Sequence, residues 1–534
     1  MPINETAPPA RSGAVPAPQA RTDRSADLKE VGQIRRHVAG LVAKVPQPGR
    51  LPLATYLACQ VILLFWWAAF YPGLMNRDSI IYIEHVTTGP WVDDNSVLYD
   101  SMVWLSLHVT GDLGALTLGQ TAAMAAALAY TVFAFRRLGV PGRWTAIAAV
   151  ILVAVPSTGT FVVFIWKDIP FSICAYLMVP TLAHLIALRG RPDWRRDRRV
   201  SRLVGARGLE MFGVCLFRQD GFMIVGIAAG VLVLVLAGIR IRLAALAAAA
   251  IGITFVLNLF VFPAVGIQRP PNSLLFGPAN ADLAVAYADS PGTFTPAELK
   301  LMARVAPLAE WKSSANCYTS NPTTFLPGFP AKSQQLAGPL FRLWLQILKR
   351  APQLIISARI CRGSIAWLVF PGTTSAETGD YLSGVPPDIY GTADTPQVRN
   401  NPYRADMATR PLLGTFVYHG AVILREASET PQLSWILWRG ATWSYVAYLA
   451  VVAFALRRKK WALISMAAIV LGQQLMVLAD NPIQAFRYMA APLLIGPMLV
   501  PLFCARNRPS PPACADDQAG TNPDAATLNG ARIA

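Results

Sequence analysis

The chain has 534 residues, 54% of them hydrophobic and only 14% charged, with a mean hydropathy of +0.40. A soluble domain carries about a quarter charged residues, so this composition excludes a soluble globular protein and indicates an all-α polytopic membrane protein. The formal net charge of +17 does not point to nucleic acid, because Lys and Arg cluster beside apolar runs in the positive-inside pattern of membrane proteins.

Residues 1–50 are rich in Pro, Ala and Arg, have no early apolar core, and read as a disordered cytoplasmic arm without a cleavable signal. Leu51–Phe70 is long enough to span a bilayer. Lys44 and Arg50 on its amino side put the N-terminus inside and the following loop, residues 71–112, outside. That loop gathers Asp78, Glu84, His85, Asp93, Asp94 and Asp100. Residues 113–135 form a second span closed by Arg136, Arg137 and Arg143. A third runs from Thr145 past Pro156 to Lys167-Asp168. A fourth, roughly 170–188, ends in the segment 189–207, whose eight arginines mark it as cytoplasmic.

Leu209–Phe217 is apolar but too short to cross alone. It is followed by Arg218-Gln219-Asp220-Gly221 and the run Phe222–Gly238. This order predicts a discontinuous span whose break lines a cavity, since irregular backbone at membrane depth is tolerated only there. Arg240 and Arg242 mark the inside again, and residues 243–262 cross outward. The N-terminal transmembrane module is therefore 51–262.

Residues 263–432 have no clean span and read as an extracytoplasmic domain of mixed helix and loop. Within it, Thr295-Pro296-Ala297-Glu298 has the form of a capping box. Leu340–Leu348 and Leu354–Leu368 suit either helices lying on the outer membrane surface or ordinary helices of a folded domain. Residues 371–415 are rich in loop formers. Three spans close the chain within 433–505, near 435–456, 461–479 and 489–504, and residues 506–534 form a disordered cytoplasmic tail. The total is about ten spans, with both termini cytoplasmic. Cys59, Cys174, Cys215 and Cys504 lie in or beside apolar spans as small buried hydrophobes. Cys317 and Cys361 share the outer domain, where a disulfide between them is one option.

By this topology the Asp78 loop, Lys167-Asp168, Arg218 with Asp220, and Arg487-Tyr488 all converge on the outer side. A charge at membrane depth costs roughly 2.5–3.5 kcal/mol and usually faces a cavity or a partner. Two readings are open. One is a water-accessible site with carboxylates for proton chemistry and arginines for an anionic head group; the other is a set of separate structural pairs. His85 and His108 with Asp93 or Asp94 match no zinc spacing, and no metal site is assigned. Asp93-Asp94-Asn95 leaves a divalent cation open through oxygen ligands. No phosphate-cradling Gly-rich loop and no Ser–His–Asp arrangement is present.

Several pieces in chain order resemble the multi-spanning GT-C glycosyltransferases, and in particular a largely uncharacterised bacterial branch similar to them. They are Tyr71-Pro72-Gly73 with Arg77-Asp78-Ser79, then Trp166-Lys167-Asp168, Leu216-Phe217-Arg218-Gln219-Asp220-Gly221, the stretch Asn280–Trp311, and Gln484-Ala485-Phe486-Arg487-Tyr488. The resemblance covers residues 51–505. It implies a bacterial plasma (inner) membrane enzyme that moves a sugar from a polyprenyl-phosphate donor to an extracytoplasmic glycan, lipid or protein acceptor of the cell envelope. It implies that Asp78 acts as catalytic base or orients the acceptor, with Asp168 the other catalytic candidate and the second acidic role open among Asp93, Asp94 and Asp168. It gives the lipid phosphate to Arg218 and Arg487, with Lys167 and Tyr488 beside them. Glu84, His85, Asp93, Asp94 and Asp220 are left as supporting or second acidic groups. The family's first loop often carries a second acidic residue followed closely by His-Pro, and this chain has Asp93-Asp94-Asn95-Ser96 instead. Two other functions fit the same residues: a lipid-linked saccharide flippase, and a catalytically inactive scaffold for envelope assembly.

Overall fold

A computed structural model describes residues 47–189, 193–370 and 396–505. The expectations for most of the amino-terminal arm, for residues 371–395 and for the carboxy-terminal tail lie outside them. The described residues from Leu51 onward form one compact unit.

Long apolar runs become helices because the backbone then pairs with itself, even where a proline such as Pro180 or Pro497 lies inside. Among the described residues seven helices are long and apolar enough to cross a membrane. They are α1 (Gly49–Ala69), α4 (Gly114–Arg137), α7 (Asp168–Leu188), α10 (Arg240–Ala264), α16 (Gly440–Arg458), α17 (Trp461–Asp480) and α18 (Phe486–Cys504). Between α1 and α4 lie α2 (Arg77–Thr87) and α3 (Val97–Thr110). An eighth span results if α5 (Gly142–Ala154) and α6 (Pro156–Val162), bent by 72°, are one crossing. The bend has a local cause. Pro156 lacks an N–H and holds Val155 in an extended conformation (φ −67°, ψ 131°), which ends the first helix.

By that measure seven or eight of the about ten expected spans are found among the described residues. The two remaining expected crossings fall on α8 (Arg198–Phe217) and α9 (Gly221–Val235). Here the structure corrects the sequence reading. Leu209–Phe217 is not a short piece; its helix begins at Arg198, and 20 residues rise about 30 Å. Half of the segment expected as a cytoplasmic loop therefore belongs to α8. Arg207 is 1% exposed, with one N–H on the Met178 carbonyl and Nη1 3.4 Å from Glu210 Oε2. Glu210 also accepts from Thr181 Oγ1 at 2.5 Å. The buried charges on α8, Arg207 and Glu210, are tied to α7, which explains how a helix carrying them packs inside the bundle.

Close helix contacts rest on small residues, as expected where lipid offers no hydrophobic contrast. A Cβ on Gly472 of α17 would stand 2.6 Å from the Ile224 carbonyl oxygen of α9, and one on Gly496 of α18 would stand 2.5 Å from that of Trp443 in α16. The central helices are α7 and α18, with 78% and 83% of their apolar windows buried, against 22% for α1 and 17% for α10. One end of the bundle is rich in arginine. There Arg457 caps the carbonyls of Leu502 and Phe503, Arg458 reaches Leu138 O, and Arg242 reaches Arg195 O. The opposite end carries the amino termini of α2, α7, α9 and α18, and with them the site described below.

A second apolar core lies between α10 and α16, built on α11 (Gly277–Asp289), α12 (Pro296–Val305), α13 (Phe329–Arg350) and α14 (Pro352–Arg362). The Thr295–Glu298 capping box opens α12 as expected. Leu340, Leu343, Ile347 and Ile355 are buried in this core, which makes α13 and α14 helices of a folded module. Asp282, fully buried, accepts from Arg359 Nε at 2.5 Å, Arg362 Nη1 at 2.7 Å and Trp344 Nε1 at 2.9 Å. Cys317 and Cys361 form a disulfide, Cα to Cα 5.6 Å.

Candidate functional site

The site starts from a pairing of two loops. Leu74 N donates to Val163 O at 3.0 Å and Ile165 N donates to Leu74 O at 2.8 Å, so the segments leading into α2 and α7 run side by side. A side chain at Gly73 would collide with the Val163 carbonyl, 2.9 Å from an added Cβ. Asn76 then caps α2, its Oδ1 accepting from Asp78 N at 3.0 Å and Ser79 N at 3.2 Å. The same oxygen accepts from Trp166 Nε1 at 2.7 Å, and Ser79 Oγ donates to Ile165 O at 2.8 Å. Asp78 and Asp168 thus open two adjacent helices, where the helix dipole favours a negative charge.

The two carboxylates differ in exposure. The Asp78 side chain is 24% exposed and that of Asp168 is 1% exposed. Asp78 Oδ2 accepts from Arg487 Nη1. Asp168 Oδ1 accepts from Arg218 Nη1 at 2.6 Å, and its Oδ2 lies 3.9 Å from Arg487 Nη1. Arg218 in turn grips Asp220 with two parallel bonds, Nε to Oδ1 at 2.8 Å and Nη2 to Oδ2 at 2.6 Å, the strong fork geometry of guanidinium and carboxylate. Both guanidinium groups lie on aromatic faces. Arg487 is 5.1 Å from the Trp166 ring centre and 5.3 Å from that of Tyr488; Arg218 is 4.6 Å from Tyr488 and 5.1 Å from Phe171. The expected groups Asp78, Asp168, Arg218, Asp220, Arg487 and Tyr488 therefore form one cluster at one end of the bundle.

Lys167 stands beside it with Nζ 2.9 Å from Asn95 Oδ1. That ammonium group fills the corner where Asp93-Asp94-Asn95 offered oxygen to a cation, so the arrangement does not support the divalent-cation option there. Among the described residues no group of three or more His, Cys, Asp or Glu side chains is placed to hold a metal ion. Gln219 Nε2 donates to Asp93 O at 2.5 Å. His85 pairs with buried Asp100, Nδ1 to Oδ2 at 3.0 Å, and its Nε2 is 3.9 Å from Asp94. His108 is elsewhere, exposed, with Nδ1 2.9 Å from Trp104 O. Glu84 is half-buried, and its backbone carbonyl closes the end of α2.

Burial pushes the Asp78 carboxyl up, but Arg487, Lys167 and Arg77 outweigh it and hold it below the usual carboxylate range. Burial carries Asp93 up to about 7 and Asp100 to about 6. Burial likewise depresses Lys167.

Three residues of the site, Asn76, Trp166 and Asn95, have no ionisable group, and Tyr82 is neutral at ordinary pH, so charge alone does not point to them. Tyr82 lies one turn after Asp78 on the same helix face. It is fully buried, and its hydroxyl has no hydrogen-bond partner among the described residues. A usable signal for Asn76 was the Asn76-Arg77-Asp78-Ser79 cap pattern ahead of an apolar run.

The loop that delivers Arg487 is fixed by the α11–α14 module. Gln484 N donates to Tyr318 O at 3.1 Å, Ser320 N to Pro482 O at 2.8 Å, and Gln484 Nε2 to Cys361 O at 2.7 Å. Arg77 is exposed and lies 5.4 Å from the Phe325 ring of that module.

No family model and no curated protein matches the chain. Among solved structures it is similar to the archaeal oligosaccharyltransferase AglB from Archaeoglobus fulgidus, in complex with an inhibitory peptide and a dolichol-phosphate. The identity is 13% over 84% of this chain and 50% of that one, with a TM-score of 0.39. It is also similar to ArnT from Cupriavidus metallidurans bound to undecaprenyl phosphate, at 15% identity over 84% of this chain and 77% of that one, with a TM-score of 0.32. This chain spans half the length of AglB.

Proposed function

We propose that the protein is a membrane glycosyltransferase of GT-C type, moving a sugar from a polyprenyl-phosphate donor to an acceptor outside the cytoplasm. The observation that carries this reading is the partly exposed Asp78 carboxylate held against Arg487, with Lys167, Asp168 and Arg218 around it, at the end of the bundle opposite the arginine-rich end. On the positive-inside rule that end faces out, in the plasma membrane of a bacterium, with both termini cytoplasmic.

In the proposed reaction the acceptor hydroxyl oxygen bonds to the anomeric carbon and the bond from that carbon to the phosphate oxygen breaks. Asp78 takes the hydroxyl proton. The electron pair of the broken bond leaves on the polyprenyl phosphate, whose charge the guanidinium groups offset. Asp168 is too enclosed to meet an acceptor and acts by positioning Arg218 and Arg487. The flippase reading gains no support from the Arg207–Glu210 pair of α8, which is 1% and 7% exposed. The deciding experiment incubates purified protein with a panel of polyprenyl-phosphate sugars and measures released polyprenyl phosphate. Release that vanishes in Asp78→Asn is expected. Release at the normal rate by that folded variant would sink the base assignment.

A further inference from the structure

We infer that Asp78 occupies the anion subsite of Arg487 in the resting protein, so that the donor's phosphate binds by displacing Asp78 and thereby frees the carboxylate to act as base. This rests on the glycosyltransferase reading above and adds an order to it: donor first, proton transfer only afterwards.

The two arginines of the site are not equivalent. Arg218 bonds two carboxylates through three short contacts of 2.6–2.8 Å and is 5% exposed. Pulling it onto a phosphate would leave Asp168, 1% exposed, without its closest cation, and an uncompensated buried charge is the costly outcome. Arg487 is different. Its near carboxylate is Asp78, whose side chain is the most open of the charged cluster at 24% and can be taken up by water or an acceptor hydroxyl when the guanidinium turns away. Asp168 then lies 3.9 Å from Arg487 Nη1, close enough to keep the cation in place during the exchange.

The aromatic stack makes the exchange feasible. Arg487 Cζ lies over the rings of Trp166 and Tyr488, 5.1 and 5.3 Å from their centres, while hydrogen bonds leave a guanidinium in its plane. A partner change at the edge therefore leaves the stack intact. Asp78 as found is a poor base, since the cations around it favour the ionised form. Moving Arg487's charge onto a phosphate removes the largest of those influences and leaves burial acting in the opposite direction. The Tyr82 hydroxyl, buried one turn along the same face and without a hydrogen-bond partner among the described residues, is available as a donor to the freed carboxylate.

The test uses the full-length protein in detergent and reads binding, not turnover. Polyprenyl phosphate, the same polyprenol without phosphate, and inorganic phosphate are titrated into wild type, Asp78→Asn and Arg487→Lys. Removing the competing carboxylate is expected to tighten polyprenyl phosphate binding by up to about fivefold, the worth of a partly exposed ion pair. Arg487→Lys is expected to weaken it, and polyprenol binding should not change. Equal or weaker binding of polyprenyl phosphate by Asp78→Asn, with wild type still binding, overturns the displacement and leaves the glycosyltransferase reading standing. No phosphate-dependent binding by any form overturns that reading itself. Inorganic phosphate binding as tightly as the lipid would support the exchange and assign the anion to free phosphate. Asp78→Ser serves the same comparison if the Asn variant does not fold.

Discussion

Arg218 bonds Asp168 at 2.6 Å, and the carboxylate it holds is the buried one of the pair at the mouths of α2 and α7. Asp78, the other, keeps a quarter of its side-chain surface. The difference separates two variants that look alike in sequence. Asp168→Asn takes from buried Arg218 one of its two carboxylates, a change that costs up to about 3–5 kcal/mol when a buried pair is broken. Asp78→Asn removes a partly exposed partner worth about 1 kcal/mol or less. The expected result is that Asp168→Asn lowers both the unfolding midpoint in detergent and sugar transfer, while Asp78→Asn abolishes transfer with the midpoint nearly unchanged. Matching losses of stability in both variants would contradict the assignment of separate roles.

Arg207 and Glu210 yield a prediction about packing. Arg207→Ala leaves Glu210 buried without its cation and is expected to destabilise by about 3–5 kcal/mol, whereas Arg207→Met with Glu210→Leu fills the space without charge and is expected to restore stability. Transfer by the double variant should match wild type, because neither residue reaches the site. Thermal unfolding of the two forms decides it.

The same pair marks what the sequence could and could not yield. Apolar runs of full length are legible as spans, and Asp78, Asp168, Arg218 and Arg487 are legible as charges at span ends. Which ends meet is not legible: the Asp78–Arg487 bond joins residues 409 apart. Arg207 was misplaced for a physical reason. Hydropathy assigns an arginine that follows other arginines to the loop, but an i,i+3 acidic partner, Glu210, lets a helix carry it inward. Asn76 and Trp166 escape a charge-based reading because they act by hydrogen bonds, here in capping α2 and joining it to α7.

The acidic groups of the first loop predict a pH dependence. Asp93 is carried up to about 7 by burial, Asp100 to about 6, and Asp94 is also raised. Between their ordinary values of about 4 and these raised ones, the folded protein keeps protons that the unfolded chain has released, so stability falls as pH rises. His85 acts in the same direction. Burial lowers it, but Asp100, Asp94 and Glu84 outweigh that and raise it, so its contribution is present below its unfolded value and lost as pH climbs through the folded one. Asp78, held low, acts the other way but only below the usual carboxylate range. The unfolding midpoint in detergent is expected to drop from about pH 5 to about pH 8, with a flatter profile in Asp93→Asn. A rise across that range would contradict the shifts.

The Cys317–Cys361 disulfide closes a separation of 44 residues, and its removal is expected to cost about 2–4 kcal/mol. Its placement suggests an effect beyond stability. The Cys361 carbonyl accepts from Gln484 Nε2 at 2.7 Å, and the carbonyl of Tyr318, next to Cys317, accepts from Gln484 N at 3.1 Å. Both ends of the cross-link thus flank the loop that presents Arg487 three residues later. Replacing both cysteines by serine should lower the unfolding midpoint and also weaken polyprenyl phosphate binding, because the guanidinium is no longer held in one place before the ligand arrives. The catalytic step at saturating donor should change less, since a bound phosphate restores the position of Arg487. Titration of polyprenyl phosphate into the Cys317→Ser/Cys361→Ser protein, well below its unfolding midpoint, separates the two effects. A lowered midpoint with unchanged affinity would make the disulfide a brace of the α11–α14 module alone, and an affinity loss that mild reduction of the wild type reproduces would place it in control of the Arg487 loop.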